Sequence, residues 1–343
     1  MRRAEPRWDV LRGRDVVCFS NDWDGDPLSK THLMRLLAAD NRILWVNSLG
    51  NRNPSASAHD LGRMARKAAA TLRGLRQVEP NIFVLSPLAL PLFGNRLAAA
   101  LNRAALKAQI ERAMKGLGFN RPVVWSFLPA AEWVARSLRP ELLVYHCVDE
   151  FTAFTGTPPA IREQEARLVA DADLVITSSQ PLYESKRAIN PRSVLVLHGV
   201  DHAHFARALE PELVIPDEVA GLPRPVLGFF GLVADWVDLE LLERLAETFR
   251  SGSLLLIGKE RTDTSRLRRL PNVHLIGQRP YEALPAYCKA FDVALMPFRI
   301  NRLTLNSNPL KVREYLAAGL PVVSTAVPEV ERLGQCLIGR DHD

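Results

Sequence analysis

Asn306-Ser307-Asn308-Pro309-Leu310-Lys311-Val312-Arg313-Glu314-Tyr315-Leu316-Ala317-Ala318-Gly319-Leu320-Pro321-Val322-Val323 reads as a loop, a short helix, a glycine stop and a buried strand. Asn308 suits the N-cap, where a side-chain oxygen accepts from the open amides of the first turn. Pro309 suits the first helical position, where a missing N–H costs nothing. Gly319 suits the left-handed stop after Ala318. Such a helix start offers unpaired N–H groups and a positive dipole end, which together attract phosphate. Lys311 sits in that first turn, where the dipole disfavours a cation by about 0.3–1 kcal/mol, so a nearby anion would account for it. Glu314 follows three residues later on the same helix face. A cation for phosphate beside a carboxylate for a sugar hydroxyl is what gripping a nucleotide sugar requires. An amphipathic surface helix with an i,i+3 ion pair fits the same residues, and the neighbouring sequence has to decide between the two.

On both sides of this stretch, short apolar runs alternate with longer helical patterns. Strands are expected over residues 15–20, 42–47, 81–85, 122–127, 142–147, 173–178 and 193–198. A second series covers 225–231, 253–258, 273–277, 292–297 and 321–324. Helical patterns lie between them, among them 29–39, 94–115, 159–171, 238–249, 284–290 and 309–318. Near-continuous apolar strands separated by helices indicate parallel sheets covered on both faces. The alternation breaks between His202 and Arg224, where Pro211, Pro216 and Pro223 stand among acidic residues. The expected organisation is α/β: a Rossmann-like domain over 1–205, a linker over 206–224 and a second doubly wound domain over 225–343. Their strand carboxyl ends, where such sheets bind ligands, would face a cleft.

A chain of 343 residues is long enough for about two domains. Its 47% hydrophobic and 24% charged content is that of a folded globular protein. The net charge of +6 is spread along the chain, apart from the start (Arg2, Arg3, Arg7, Arg12, Arg14) and the runs 63–76 and 261–269. Solvated helix faces account for most such runs, and anionic lipid is a further partner for them. No nucleic-acid partner is expected. Cys18, Cys147, Cys288 and Cys336 form no C-x-x-C pair and are read as reduced thiols. No secretory signal and no run of about 18 apolar residues is present. The expected location is cytoplasmic, with peripheral contact at the inner membrane face.

From Pro225 onward the sequence resembles the donor domain of GT-B glycosyltransferases, specifically the family 4 group also called glycosyl transferases group 1. The segments that carry the resemblance occur in order: Gly228-Phe229-Phe230-Gly231, Leu254-Leu255-Leu256-Ile257-Gly258, Asn272 to Tyr281 with Leu284-Pro285, and Asp292 to Pro297. The Lys311–Glu314 helix and Gly319-Leu320-Pro321-Val322-Val323-Ser324 close the series, and Gly199-Val200-Asp201 with Phe205 matches the hinge signature. The resemblance implies a hexosyltransferase-type enzyme that moves a sugar from a nucleoside-diphosphate sugar to an acceptor hydroxyl with retention. It also implies no metal and no cofactor beyond the nucleotide-sugar substrate. The acceptor would be a carbohydrate or lipid-linked intermediate of cell-surface polysaccharide or glycolipid synthesis. By position, Lys311 would contact the diphosphate and Glu314 the ribose or sugar hydroxyls. Ser307 and Asn308 would cradle the phosphates, Gln278 and Arg279 would flank the base, and Gly231 would let backbone approach the donor.

Three features depart from the family pattern. Asn306 stands where the family often has an acid eight positions before Glu314, and Leu232-Val233-Ala234-Asp235-Trp236 replaces its basic residues after Gly231. The family also continues beyond the point where Asp343 stands, so the donor domain is expected to be truncated at its end. A non-catalytic, degenerate transferase acting as a binding partner, or a nucleotide-sugar epimerase, therefore stands as the alternative.

The first half matches the family in architecture only, and its candidates come from strand ends. After the first strand lies Asn21-Asp22-Trp23-Asp24-Gly25-Asp26-Pro27. A calcium loop does not fit, because counted from Asp22 the glycine falls at the fourth place, not the sixth, and the twelfth position is Leu33. Asp22-Trp23-Asp24 also matches the D-x-D metal motif of GT-A glycosyltransferases, but two short acids do not make an oxygen cage. The alternatives are a polar capping loop or an acceptor-facing loop, with Trp23 stacking on a sugar, Asp24 binding it and Asp22 accepting a proton. The strand 142–147 leads to Asp149, a candidate catalytic carboxylate, and contains His146, a candidate base or a satisfied buried histidine.

Overall fold

The computed structural model describes residues 11–25, 27–48, 74–87 and 96–340. Arg2, Arg3, Arg7, Asp26, the arginines of 63–73, the start of the 94–115 helix and the last three residues lie outside the described residues. The chain divides into two compact units, Met1–Thr177 with Leu182–Leu195, and Ser178–Pro181 with Val196–Asp343.

In the first unit eight strands form one sheet: β1 Asp15–Phe19, β2 Arg42–Val46, β3 Leu75–Glu79, β4 Ile82–Leu85, β5 Val123–Ser126, β6 Leu142–Cys147, β7 Leu174–Thr177 and β8 Ser193–Leu195. Their order is β3-β4-β2-β1-β5-β6-β7-β8. Only β3 runs antiparallel, against β4. The two faces follow the period of two along a strand. Val17 and Phe19 of β1 face one core, with Tyr145, Leu168 and Val134. Val16 and Cys18 face the other, with Met34, Trp45 and Phe127.

The second unit carries β9 Val226–Phe230, β10 Ser253–Ile257, β11 Val273–Gly277, β12 Val293–Met296, β13 Val322–Thr325 and β14 Leu337–Gly339. All are parallel, in the order β11-β10-β9-β12-β13-β14. In both sheets the chain reverses direction at the first strand of the series, between β1 and β5 and between β9 and β12. Those are the places where open α/β sheets bind ligands.

Two expectations are corrected. The second unit, which also takes Ser178–Pro181, holds the chain continuously from Val196 and not after a linker starting near 206. The His202–Ala206 helix buries Phe205 in the second unit's core, where its ring stacks on Phe230 at 6.0 Å. Ala208 and Val219 join the same core, so 206–224 is packed chain, built around a short Asp217–Ala220 helix. Two strands also escaped the apolar-run pattern. β3, with the sequence Leu-Arg-Gln-Val-Glu, is half polar at a sheet edge, and β14 has only three residues.

Candidate functional site

The helix at the decisive stretch runs Leu310–Ala317. Gly319 ends it at φ 76°, the left-handed stop expected there. Tyr315 anchors it: its hydroxyl accepts from Phe230 N at 2.9 Å at the end of β9, and its side chain is fully buried. That bond places the helix start over the turn after β9, at the switch point. Gly231 occupies this turn at φ 141°, and a Cβ there would lie 2.0 Å from Lys311 Cε and 2.9 Å from Nζ. The glycine is required because the Lys311 side chain crosses directly over it. Sequence reading associated Gly231 with backbone approach to a ligand, whereas the space it leaves is filled by the lysine of the same site.

Glu314 is buried, and burial pushes its carboxyl up to about 7 against the pull of the Lys311 charge. A carboxylate accepts hydroxyl protons well only when ionised, so Glu314 is poised to change character near neutral pH.

The expected cap does not form. Pro309 is the N-cap residue, no side chain caps the helix, and Leu310 rather than Pro309 opens it. Asn308 is buried and its amide is used elsewhere: Nδ2 donates to Ser178 O at 2.6 Å, and Oδ1 accepts from Arg313 Nη1 at 2.7 Å. A charge-assisted partner five residues on outcompetes the neutral amides of the first turn for that oxygen. The consequence is a helix start whose positive end has no carboxamide oxygen over it. Ser307 Oγ donates to Thr304 O at 2.9 Å, and Asn306 Nδ2 donates to Arg302 O at 2.7 Å. At the end of β11, Arg279 donates to both Glu218 oxygens, at 2.9 and 2.5 Å, and to the Tyr287 hydroxyl at 2.9 Å. Its guanidinium ties the turn to the Asp217–Ala220 helix, while Gln278 beside it is exposed.

In the first unit the Asn21–Asp24 loop follows β1. Asp22 Oδ1 accepts from Ser48 N at 3.2 Å, and Asp24 pairs with Arg76 at 2.5 Å on the surface. The Trp23 ring meets the Trp45 ring edge-on at 5.0 Å and carries the Arg35 guanidinium at 5.4 Å. The two carboxylates of the D-x-D match therefore take separate partners. His146 lies within β6 on the face that packs the Ser29–Leu37 helix, its ring stacked on Phe127 at 4.9 Å and tilted against Trp125 at 6.0 Å. Asp149 follows the strand, half-buried, as expected. Sequence reading missed Lys30, which is 6% exposed and donates to Asn21 Oδ1 at 3.2 Å. Burial pushes its ammonium down, and the Asp149 carboxylate opposes that shift. A lone lysine at a helix start gave no signal, because the groups that bury it are distant in sequence.

Residues 224–341 match the family model described as glycosyl transferases group 1. A Bacillus subtilis (strain 168) protein assigned to teichuronic acid biosynthesis as the glycosyltransferase TuaH is 27% identical over 232 residues, covering 62% of this chain and 58% of that one. The chain thus spans less than two thirds of that relative's length. Among solved structures, sucrose-phosphate synthase from Thermosynechococcus elongatus aligns with a TM-score of 0.65 and 17% identity over 96% of this chain and 87% of the other. Anabaena HepE, solved in complex with UDP-glucose, aligns with a TM-score of 0.60 and 15% identity over 95% and 85%. At these identities the likeness is one of fold, and the chain has the two-domain GT-B fold. Among the described residues, no helix is long and apolar enough to cross a membrane.

Proposed function

We propose that this chain is a retaining, hexosyltransferase-type glycosyltransferase. It would move a sugar from a nucleoside-diphosphate sugar to a hydroxyl of a carbohydrate or lipid-linked acceptor in cell-surface polysaccharide or glycolipid synthesis. One observation carries the reading: the uncapped start of the Leu310–Ala317 helix, with Lys311 laid across Gly231 at the β9 switch point and Glu314 buried beside it. The family match over 224–341 and the relative assigned to teichuronic acid biosynthesis support the reaction class and the setting. A fold neighbour solved with UDP-glucose supports a nucleotide-sugar donor.

In this reading the diphosphate lies against the helix N–H groups and the Lys311 ammonium. Both stabilise the negative charge that grows as the sugar–phosphate bond breaks, and both are in place before it does. Glu314, when ionised, accepts from ribose or sugar hydroxyls, so donor affinity rises as pH passes through about 7. The side chains of Ser307 and Asn308 support this loop through their own hydrogen bonds, and Gln278 lies exposed at the end of β11 for the base. The acceptor belongs to the first unit, with Asp149 as the carboxylate for its hydroxyl and the Asp22-Trp23-Asp24 loop beside it. Lys311 and the helix dipole supply the charge that a divalent ion would otherwise supply, so turnover needs no added metal. Peripheral contact with the inner membrane face would bring lipid-linked acceptors within reach.

A screen of nucleoside-diphosphate sugars by thermal shift, followed by detection of the released nucleoside diphosphate, tests this. A true donor raises the melting temperature by mass action. Failure of every donor to stabilise the protein would overturn the reading. An isomerised sugar formed without acceptor would replace it with an epimerase.

A further inference from the structure

β9 ends at Phe230 and β10 at Ile257, side by side at the carboxyl edge of the second sheet. The pairing continues past both strands. Gly231 N donates to Ile257 O at 2.8 Å, Val233 N to Lys259 O at 2.9 Å, and Arg261 N to Val233 O at 2.8 Å. The result is a parallel bridge with Val233 opposite Glu260. A Cβ on Gly258 would lie 1.7 Å from Gly231 O, so the turn after β10 is pressed against the Gly231 turn. Across a parallel bridge the opposed residues share a face, and their chain neighbours take the other one. Val233 is fully buried in the same core as Leu267. Glu260 turns that way too, accepting from Arg268 at 2.5 Å and from the Thr264 hydroxyl. Lys259 therefore turns away from that core, toward the side where Ile257 packs with Tyr315. Lys311 lies one helical turn before Tyr315 and comes to Gly231 from that helix.

Two lysines thus flank one glycine. Lys311 Nζ lies 2.9 Å from a Cβ placed on Gly231, and the Lys259 carbonyl is bonded to Val233, two residues further along the same turn. Lys259 is exposed and makes no side-chain hydrogen bond or ion pair among the described residues, and the adjacent Glu260 carboxylate is taken by Arg268. The loop 232–238 itself contributes no cation. Like charges brought to one turn repel, and a group with two or more negative charges between them turns that cost into attraction. We propose that Lys259 is a second diphosphate-binding residue, gripping the phosphates from the β10 side while Lys311 and the helix N–H groups hold them from the other. This role for Lys259 rests on the function proposed above and supplies its diphosphate with a second full charge. A lysine meets phosphate as a point charge on a flexible stem, so Lys259 can close onto a ligand once it arrives, whereas Lys311 already lies across Gly231.

The test is calorimetry on the full chain with UDP, GDP, ADP and dTDP and with their nucleosides, for wild type, Lys259→Ala, Lys259→Arg and Arg250→Ala. Arg250 lies before β10, at the opposite end of the strand from Lys259, and its loss changes the net charge equally. For the diphosphate that wild type binds best, Lys259→Ala is expected to weaken binding at least about fivefold, with nucleoside affinity within about twofold of wild type. Lys259→Arg keeps most of the diphosphate affinity and Arg250→Ala all of it. Lys259 is exposed, so the urea midpoint of Lys259→Ala is expected to stay at that of wild type, which separates lost affinity from a lost fold. Unchanged diphosphate binding in Lys259→Ala overturns the inference while the proposed function stands. So does an equal loss for the nucleoside, or an equal loss in Arg250→Ala, which would reduce Lys259 to a part of the general field. A wild type that binds none of the four diphosphates contradicts the proposed function and the inference with it.

Discussion

The two units present the same device in two chemical states. Each places a lysine at the second position of a helix that starts beside the switch point of its sheet, Lys30 in the first and Lys311 in the second. Each lysine has a carboxylate within electrostatic reach, Asp149 and Glu314. In the first unit the cation is the buried member and its carboxylate is half-buried after a strand. In the second the carboxylate is buried, while the lysine lies half-buried over a glycine at an uncapped helix start. Burial decides which partner is perturbed. It lowers the ammonium of Lys30 and raises the carboxyl of Glu314.

The largest effect that would sharpen this comparison is at Glu314. Its folded value of about 7 lies above the ordinary 4.5. The folded state therefore holds the proton more tightly, so this group's contribution is fully present below pH 4.5 and lost as pH rises through 7. The loss amounts to about 3 kcal/mol at 1.36 kcal/mol per unit. Glu314→Gln cannot ionise, so its stability relative to wild type is expected to climb by about 2.5 kcal/mol between pH 5 and pH 8 in urea unfolding. Parallel curves would show that the carboxylate is solvated and the asymmetry between the units false.

Gly231→Ala comes next. The left-handed φ and the Lys311 stem both oppose a Cβ, so a loss of about 1–3 kcal/mol in stability is expected, with weakened UDP binding as the lysine is displaced. Unchanged UDP affinity in a destabilised variant would detach Lys311 from the diphosphate. Asn308→Ala removes one buried and one half-buried hydrogen bond. It is expected to cost about 1–3 kcal/mol of stability, with a smaller effect on UDP affinity than any change at Lys311. The reverse pattern would restore Asn308 to the phosphate cradle. The smallest effect is at Asp24, whose pair with Arg76 is exposed. Asp24→Asn is expected to change stability by less than about 1 kcal/mol and to leave UDP release in chelator unaltered. Strict dependence of wild-type turnover on magnesium or manganese, abolished by Asp22→Asn, would instead revive the D-x-D motif.

Most of this architecture can be read from the sequence, because buried parallel strands are apolar on both faces. β6 and β11 fall at the residues expected, and the other apolar runs hold strands within a residue or so, except 193–198, of which only Ser193–Leu195 is strand. What escaped was set by neighbours far along the chain. β3 is a strand because β4 pairs with it, although Arg76, Gln77 and Glu79 carry no apolar signal. The Gln180–Arg187 helix opens Gln-Pro and is mostly polar, so few apolar residues mark it. Asn308 looked like a cap until Ser178, 130 residues away, and Arg313 claimed its amide. Lys30 was missed altogether, because its burial depends on Phe127 and Asn21, which the fold brings to it. The Lys311–Glu314 pairing and the glycine stop were legible, since their spacing lies within one helix.

In the proposed function, Lys311 and the uncapped helix start bind a diphosphate. Calorimetry of UDP and of uridine, on wild type and Lys311→Ala, tests it most directly. In Lys311→Ala, UDP binding is expected to weaken by about 1.5–3 kcal/mol, the scale of a charge-assisted hydrogen bond, while uridine binding is almost unchanged. Equal losses for UDP and uridine would contradict it and make Lys311 a residue that supports the fold.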